Sequence, residues 1–187
     1  MAHLTNIKYL NKSNILVYLD AFAFNMIKLH GGSINIPILI VGGSAIALKD
    51  GYRNATVDID SYIKFSGNVS KAIGQVAKDY NIYSDWLNQD FAYSESYSRR
   101  LEDNAIYFTT LRNVLHIYLV CDLDQLCMKA TAYRKKDIPD IKYLVKVLKN
   151  KGVSYHDFLS RFYYLYGDSV SMTHTARVSI ERYFKKL

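Results

Sequence analysis

Ile40-Val41-Gly42-Gly43-Ser44-Ala45-Ile46-Ala47-Leu48, and shortly after it Thr56-Val57-Asp58-Ile59-Asp60, decide how this 187-residue chain is read. The first segment continues the apolar run Pro37-Ile38-Leu39 and breaks at two glycines before a set of helix formers. It reads as a buried strand, a tight turn and a short helix. The second reads as a strand. On a regular strand side chains alternate, so Thr56, Asp58 and Asp60 share one face and Val57 and Ile59 the other. Two glycines let the backbone approach a ligand closely, and the N–H groups that open the next helix make an anion site. Carboxylates two residues apart suit a divalent cation, which takes oxygen ligands. Alone, each segment is a common structural device: a tight turn, or an acidic strand facing water. In this order they place a cation site beside a phosphate site, as phosphoryl or nucleotidyl transfer requires. No Gly-Lys-Ser or Gly-Lys-Thr follows, so the turn is not a P-loop.

Outward from this pair, the pattern predicts a helix capped by Ser13, with apolar positions Ile15, Leu16, Leu19, Phe22, Ala23 and Met26, ending at Gly31-Gly32. Short helix 43–50 and carboxylate strand 56–63 follow, then a helix over 68–80. Residues 82–104 scatter Trp86, Leu87, Phe91 and Tyr93 among polar residues and fit a loop or a weak strand. Strands 105–109 and 114–120 make a hairpin around Leu111-Arg112-Asn113. Asp122 with Gln125 reads as a capping box opening a helix to about Tyr133. Pro139 suits the first turn of another helix to Lys149. Two more helical patterns complete the chain, one carrying Phe158, Phe162, Tyr163 and Tyr166, the other Ile180, Tyr183 and Phe184. The expected fold class is mixed α+β: a small mixed sheet flanked by helices, over residues 1–121, with a helical C-terminal part, 122–187, packed on that core as one unit.

Half of the residues are apolar, with two prolines and nine glycines, so a sizeable core is expected and long disordered stretches are not. The net charge of +7 permits a nucleic-acid or nucleotide partner without requiring one. Cys121 and Cys127 lack zinc-ligand spacing and read as core thiols of a reducing compartment. The N-terminus lacks the basic start, apolar centre and cleavage site of a signal peptide. No apolar run is long enough to span a bilayer, so the expectation is a cytoplasmic chain with no membrane partner.

Other residues carry weaker chemical signals. Lys49 and Arg53 lie between the two deciding segments, where either can meet a phosphate or simply face water. Lys129 sits off the apolar face Leu123, Leu126, Cys127 and Ala130, and its plain reading is a solvated lysine. Asp137 and Asp140 flank a helix start, where carboxylates offset the helix dipole without further function. The aromatic stripe at 158–166 has helical spacing and reads as core. Arg177, Arg182, Lys185 and Lys186 read as a solvated basic face. His116 has no Ser or Cys partner, so a hydrolase triad has no support.

Gly42-Gly43-Ser44-Ala45-Ile46-Ala47-Leu48, then Gly51-Tyr52-Arg53, then Thr56-Val57-Asp58-Ile59-Asp60, resembles the first motif of the nucleotidyltransferase superfamily. Leu126-Cys127-Met128-Lys129-Ala130 with Arg134, Asp137 and Asp140 resembles a later motif. The nearest branch looks like the AbiEii-type proteins, the toxin side of some toxin–antitoxin and phage-defence pairs. The resemblance implies a nucleotidyltransferase fold, an NTP substrate and Mg²⁺. It implies that Gly43 and Ser44 hold the triphosphate and that Asp58 and Asp60 bind the metal, with Gly42 and Arg53 as further nucleotide-binding candidates. Lys129 would contact phosphate or nucleotide, and Asp137 would be a catalytic or structural acid. The implied acceptor is RNA or a protein hydroxyl, and an antitoxin is an implied partner. One departure is visible. Many superfamily members place a third carboxylate on the strand after the metal pair, whereas strand 114–120 carries His116 and no acid. A catalytically silent nucleotide- or RNA-binding protein of the same fold is therefore the alternative expectation.

Overall fold

The computed structural model describes residues 9–31, 34–50, 52, 55–64 and 66–186. These form seven α-helices and a five-stranded mixed sheet, the expected α+β class. The chain divides into two compact units, Met1–Asp90 with Ile106–Leu119, and Phe91–Ala105 with Val120–Leu187. Phe91–Ala105 thus groups with Val120–Leu187.

In the first unit, α1 (Lys12–His30) buries Ile15, Tyr18, Leu19, Phe22, Ala23 and Met26 along one stripe. Its cap is Asn11 rather than the expected Ser13: the Asn11 side chain accepts from the Ser13 and Asn14 N–H groups, and Asn14 closes a capping box. Gly31, in the left-handed region, ends the helix. Strand β1 (Ile36–Ile40) runs into α2 (Gly42–Asp50), followed by β2 (Ile59–Tyr62) and α3 (Gly67–Tyr80). Strand β3 (Leu87–Asn88) is only two residues long. Trp86, just before it, is buried and donates from its indole N–H to the Ile73 carbonyl of α3, 3.1 Å. Strands β4 (Ile106–Leu111) and β5 (Leu115–Leu119) form the expected hairpin, with Arg112 and Asn113 at φ 50° and 57° in its turn. Positive φ at both turn residues matches the twist of the flanking strands. Arg112 is tied down there by Asp20, 2.6 Å away.

The sheet order is β3-β2-β1-β5-β4, so the strand that leads to the glycine turn is central. It pairs antiparallel with β2 and parallel with β5. One face carries Ile38, Ile40, Ile59, Leu115, Ile117 and Leu119, all buried, and with the apolar stripes of α1 and α3 these form the core of the first unit.

In the second unit, α4 (Asp122–Ala132), α5 (Ile138–Asn150), α6 (Tyr155–Tyr166) and α7 (His174–Lys186) follow one another. Two short 3-10 turns, Asp90–Tyr93 and Arg99–Leu101, lie in the stretch the sequence left open. The expected capping box at Asp122 and Gln125 does not form: Cys121 occupies the cap position without a side-chain capping hydrogen bond, and Asp122 is already inside the helix. Pro139 does sit in the first turn of α5. Phe158, Phe162 and Tyr166 are buried, as core residues should be, while Tyr163 is exposed.

Candidate functional site

Antiparallel pairing sets Ile40 opposite Ser61 and Leu39 opposite Tyr62, so Asp60 lies at the end of β2 where β1 turns into α2. The Val41 N–H donates to the Asp60 carbonyl, 3.0 Å. Gly42 then adopts φ 68°, and a Cβ built on it would lie 2.8 Å from Asp60 Oδ2. Gly42 is thus required twice, for its left-handed backbone and for the room the carboxylate occupies. The Ala45 N–H donates to the Val41 carbonyl, 3.4 Å, and the Gly43 and Ser44 N–H groups precede this first helical bond of α2. The glycine turn and the acidic strand, read separately in the sequence, are in direct contact through Gly42 and Asp60.

The rest of the pattern departs from a regular strand. Strand β2 begins at Ile59, not at residue 56, and Val57 and Asp58 lie in a bend. Thr56 makes an isolated bridge with Leu10 instead. Thr56 is buried and Val57 is 48% exposed, the reverse of what strict alternation through Asp60 requires. Asp58 and Asp60 are both half-buried, but Asp58 is placed by the bend and not by the pleat. Ser44 is 1% exposed, and its hydroxyl donates to the Val41 carbonyl, 2.9 Å. Its hydroxyl therefore closes the turn, and what Ser44 can offer an anion is its backbone N–H. Arg53 lies outside the described residues.

The face of the sheet that carries Asp60 is polar and aromatic. Pairing runs Tyr62–Leu39–Tyr118–Tyr107 across β2, β1, β5 and β4. Cross-strand partners share a face, and the Tyr107 and Tyr118 rings meet edge to face with centroids 5.8 Å apart. Asp60 itself is paired with Asn88 of β3. The next row holds Pro37, His116 and Thr110. His116 Nδ1 lies 2.9 Å from Thr110 Oγ1, which lies 2.9 Å from the Tyr107 hydroxyl. His116 is paired with Pro37, at the opposite end of β1 from Gly42. Four residues of strand, about 13 Å, separate that level from Val41, so His116 does not stand in for an acid beside Asp60. On this face β5 offers only His116 and Tyr118. Among the described residues no three His, Cys, Asp or Glu side chains gather as a metal site. Asn88 and the tyrosine row were not predicted: a two-residue strand has no periodicity to read.

The later motif lies in the second unit. Lys129 is 6% exposed rather than solvated. Its Nζ lies 3.0 Å from Asp137 Oδ1 and 2.7 Å from Asp140 Oδ2. Arg134 Nε donates to Asp137 Oδ2, 2.7 Å. Burial alone would raise the Asp137 carboxyl. Hydrogen bonds from Arg134 and the Lys129 charge outweigh it and hold Asp137 below the ordinary carboxylate value. Two further buried acids of α4 are also paired, Asp124 with Arg161 at 2.6 Å and Asp122 with Lys151 at 2.6 Å. Burial, with Asp124 beside it, pushes the Cys121 thiol up to about 11, and Cys127 is fully buried, so neither is poised as a nucleophile.

No described helix is long and apolar enough to cross a membrane. No curated protein and no solved structure matches the chain. Residues 15–153 match one family, DUF6036, described as a nucleotidyltransferase of unknown function. The match supports the superfamily of the resemblance and not its AbiEii-type branch. Covering well over half of the sequence, it places this chain in that family of nucleotidyltransferases.

Proposed function

We propose that the chain is a Mg²⁺-dependent nucleotidyltransferase that moves a nucleoside monophosphate from an NTP to an RNA or protein acceptor. The observation that carries the reading is the contact of Asp60 with Gly42: a carboxylate seated against the glycine start of a helix. A carboxylate beside the Gly43 and Ser44 N–H groups at a helix start supports a cation held next to phosphates. The donor set fits a hard cation, because Asp58 and Asp60 offer oxygen ligands only. When bound there, a divalent cation neutralises α-phosphate charge and favours ionisation of the acceptor hydroxyl. Gly43 and Ser44 hold the β- and γ-phosphates through backbone N–H groups. The acceptor oxygen bonds to the α-phosphorus, its proton passes to water, the bond to the bridging oxygen breaks and pyrophosphate leaves. Of the two roles implied for Asp137 we favour the structural one, since it anchors Lys129 and Arg134. The charge of Lys129 is spent on two carboxylates, which leaves the phosphates to the turn.

Transfer from α-labelled NTPs with Mg²⁺, by wild type and by Asp58→Ala/Asp60→Ala, tests this. Equal labelling by both proteins would overturn it. A second reading, a silent nucleotide- or RNA-binding protein, is favoured by the absence, among the described residues, of a third acid on the Asp60 face. NTP binding that needs no Mg²⁺ and survives loss of Asp60, measured by calorimetry, would establish that reading instead. A toxin role with an antitoxin partner would show as growth arrest on expression, relieved by Asp58→Ala.

A further inference from the structure

Residues 134–151 contain seven Lys and Arg against two Asp. Both acids, Asp137 and Asp140, are buried and turned inward onto Lys129 and Arg134. Lys151 is spent on Asp122. Among the described residues Lys135, Lys136, Lys146 and Lys149 make no ion pair, and Lys142 lies over the Tyr183 ring of α7, 5.4 Å from its centroid. Lys142, Lys146 and Lys149 stand at i, i+4 and i+7, so they line one side of α5 over about 10 Å. Like charges at i and i+4 oppose helix formation, so the fold of α5 itself gives no reason for them.

We propose that this side of α5, with Lys135 and Lys136 before it and Tyr183 beside it, binds the phosphate backbone of single-stranded RNA. Phosphates answer the row of unpaired ammonium groups, and a ring among cations is a surface on which a base can stack. An anionic membrane fits less well. The apolar residues of α5 (Ile141, Leu144, Val145, Leu148) are buried, so the helix has no apolar side left to enter a bilayer. The binding stands by itself; that the bound strand is the acceptor rests on the transferase reading above.

The test is fluorescence anisotropy of a labelled single-stranded RNA across a KCl series, on the full chain without NTP. Wild type is expected to give a log–log salt slope of about −3 to −4, at roughly −0.7 per lysine. Lys142→Gln/Lys146→Gln/Lys149→Gln should flatten the slope by about 2 and weaken binding at least tenfold at low salt. Lys12→Gln/Lys71→Gln/Lys78→Gln removes equal charge from α1 and α3 and should bind as wild type does. Equal weakening by the two triple variants, or no salt-dependent binding, overturns the proposal. So does loss of binding to phosphatidylserine vesicles in the α5 variant while RNA binding is kept, which would indicate a membrane surface. Circular dichroism melts check that both variants fold. Asp58→Ala/Asp60→Ala should bind RNA normally. If that holds and wild type transfers nothing, the transferase reading fails alone. If wild type labels a protein and binds no RNA, this proposal fails alone.

Discussion

Two acidic clusters in this chain look alike in sequence and differ in kind. Asp58 and Asp60 are half-buried, and a glycine makes room for one of them. Asp137 and Asp140 are buried with a lysine between them and an arginine on the rim. The first cluster leaves both carboxylates partly exposed. The second satisfies its charges internally and holds a helix–turn–helix together. A buried charge with all its partners in place is architecture; a carboxylate set against a helix start is an opening for chemistry.

The sharpest way to break this contrast is to separate activity from stability. Asp58→Asn should abolish labelled transfer yet change stability by no more than about 0.5 kcal/mol, since its carboxylate is half-buried in a bend. Urea unfolding read alongside transfer checks both. Lys129→Ala should do the reverse, costing about 3–5 kcal/mol by removing the buried ammonium that two buried carboxylates share; a loss below 1 kcal/mol would put Lys129 on the ligand-facing side. Gly42→Ala comes next, at about 1–3 kcal/mol for a strained left-handed alanine. It should also lower transfer because Asp60 must move, and an active, stable Gly42→Ala would mean that the Gly42–Asp60 contact is incidental. Acid sensitivity separates the clusters further. The folded Asp137 carboxyl lies below its ordinary 3.8, so the unfolded chain binds the proton first. The stability it provides is present above about pH 4 and is lost as pH falls below that. Asp137→Asn should flatten the stability profile in that acid range, which denaturation from pH 5 to 2 would show. The smallest effect, up to about 1 kcal/mol, is expected for Arg112→Ala, which removes a half-exposed ion pair to Asp20 and a stacking contact with Phe24.

Much of the fold was legible in the sequence because its signals are local. The apolar run before Gly42, the stripe of α1 and the hairpin around Arg112 each announce themselves within a few residues. What misled was the assumption of unbroken alternation from Thr56 to Asp60. The bend at Val57 and Asp58 frees Thr56 to bridge Leu10, a partner far away in sequence. The burial of Lys129 was not legible for a similar reason: its partners arrive in the next turn and helix, so its own helix shows only a polar residue off the apolar face. Strand β3 is too short to carry a period, so residues 82–104 could be read only as a loop or a weak strand.

The register shift in β4 between Tyr107 and Thr109 has a consequence for solubility. Strand β4 ends one side of the sheet and β3 the other, and an edge strand is where the strand of a second copy can pair. One is only two residues long and the other is bulged and therefore kinked, and each device spoils the flat template on which a second copy would zip. Deleting Phe108 would straighten that rim, and the expected penalty is self-association that grows with concentration, visible by light scattering before any loss of fold.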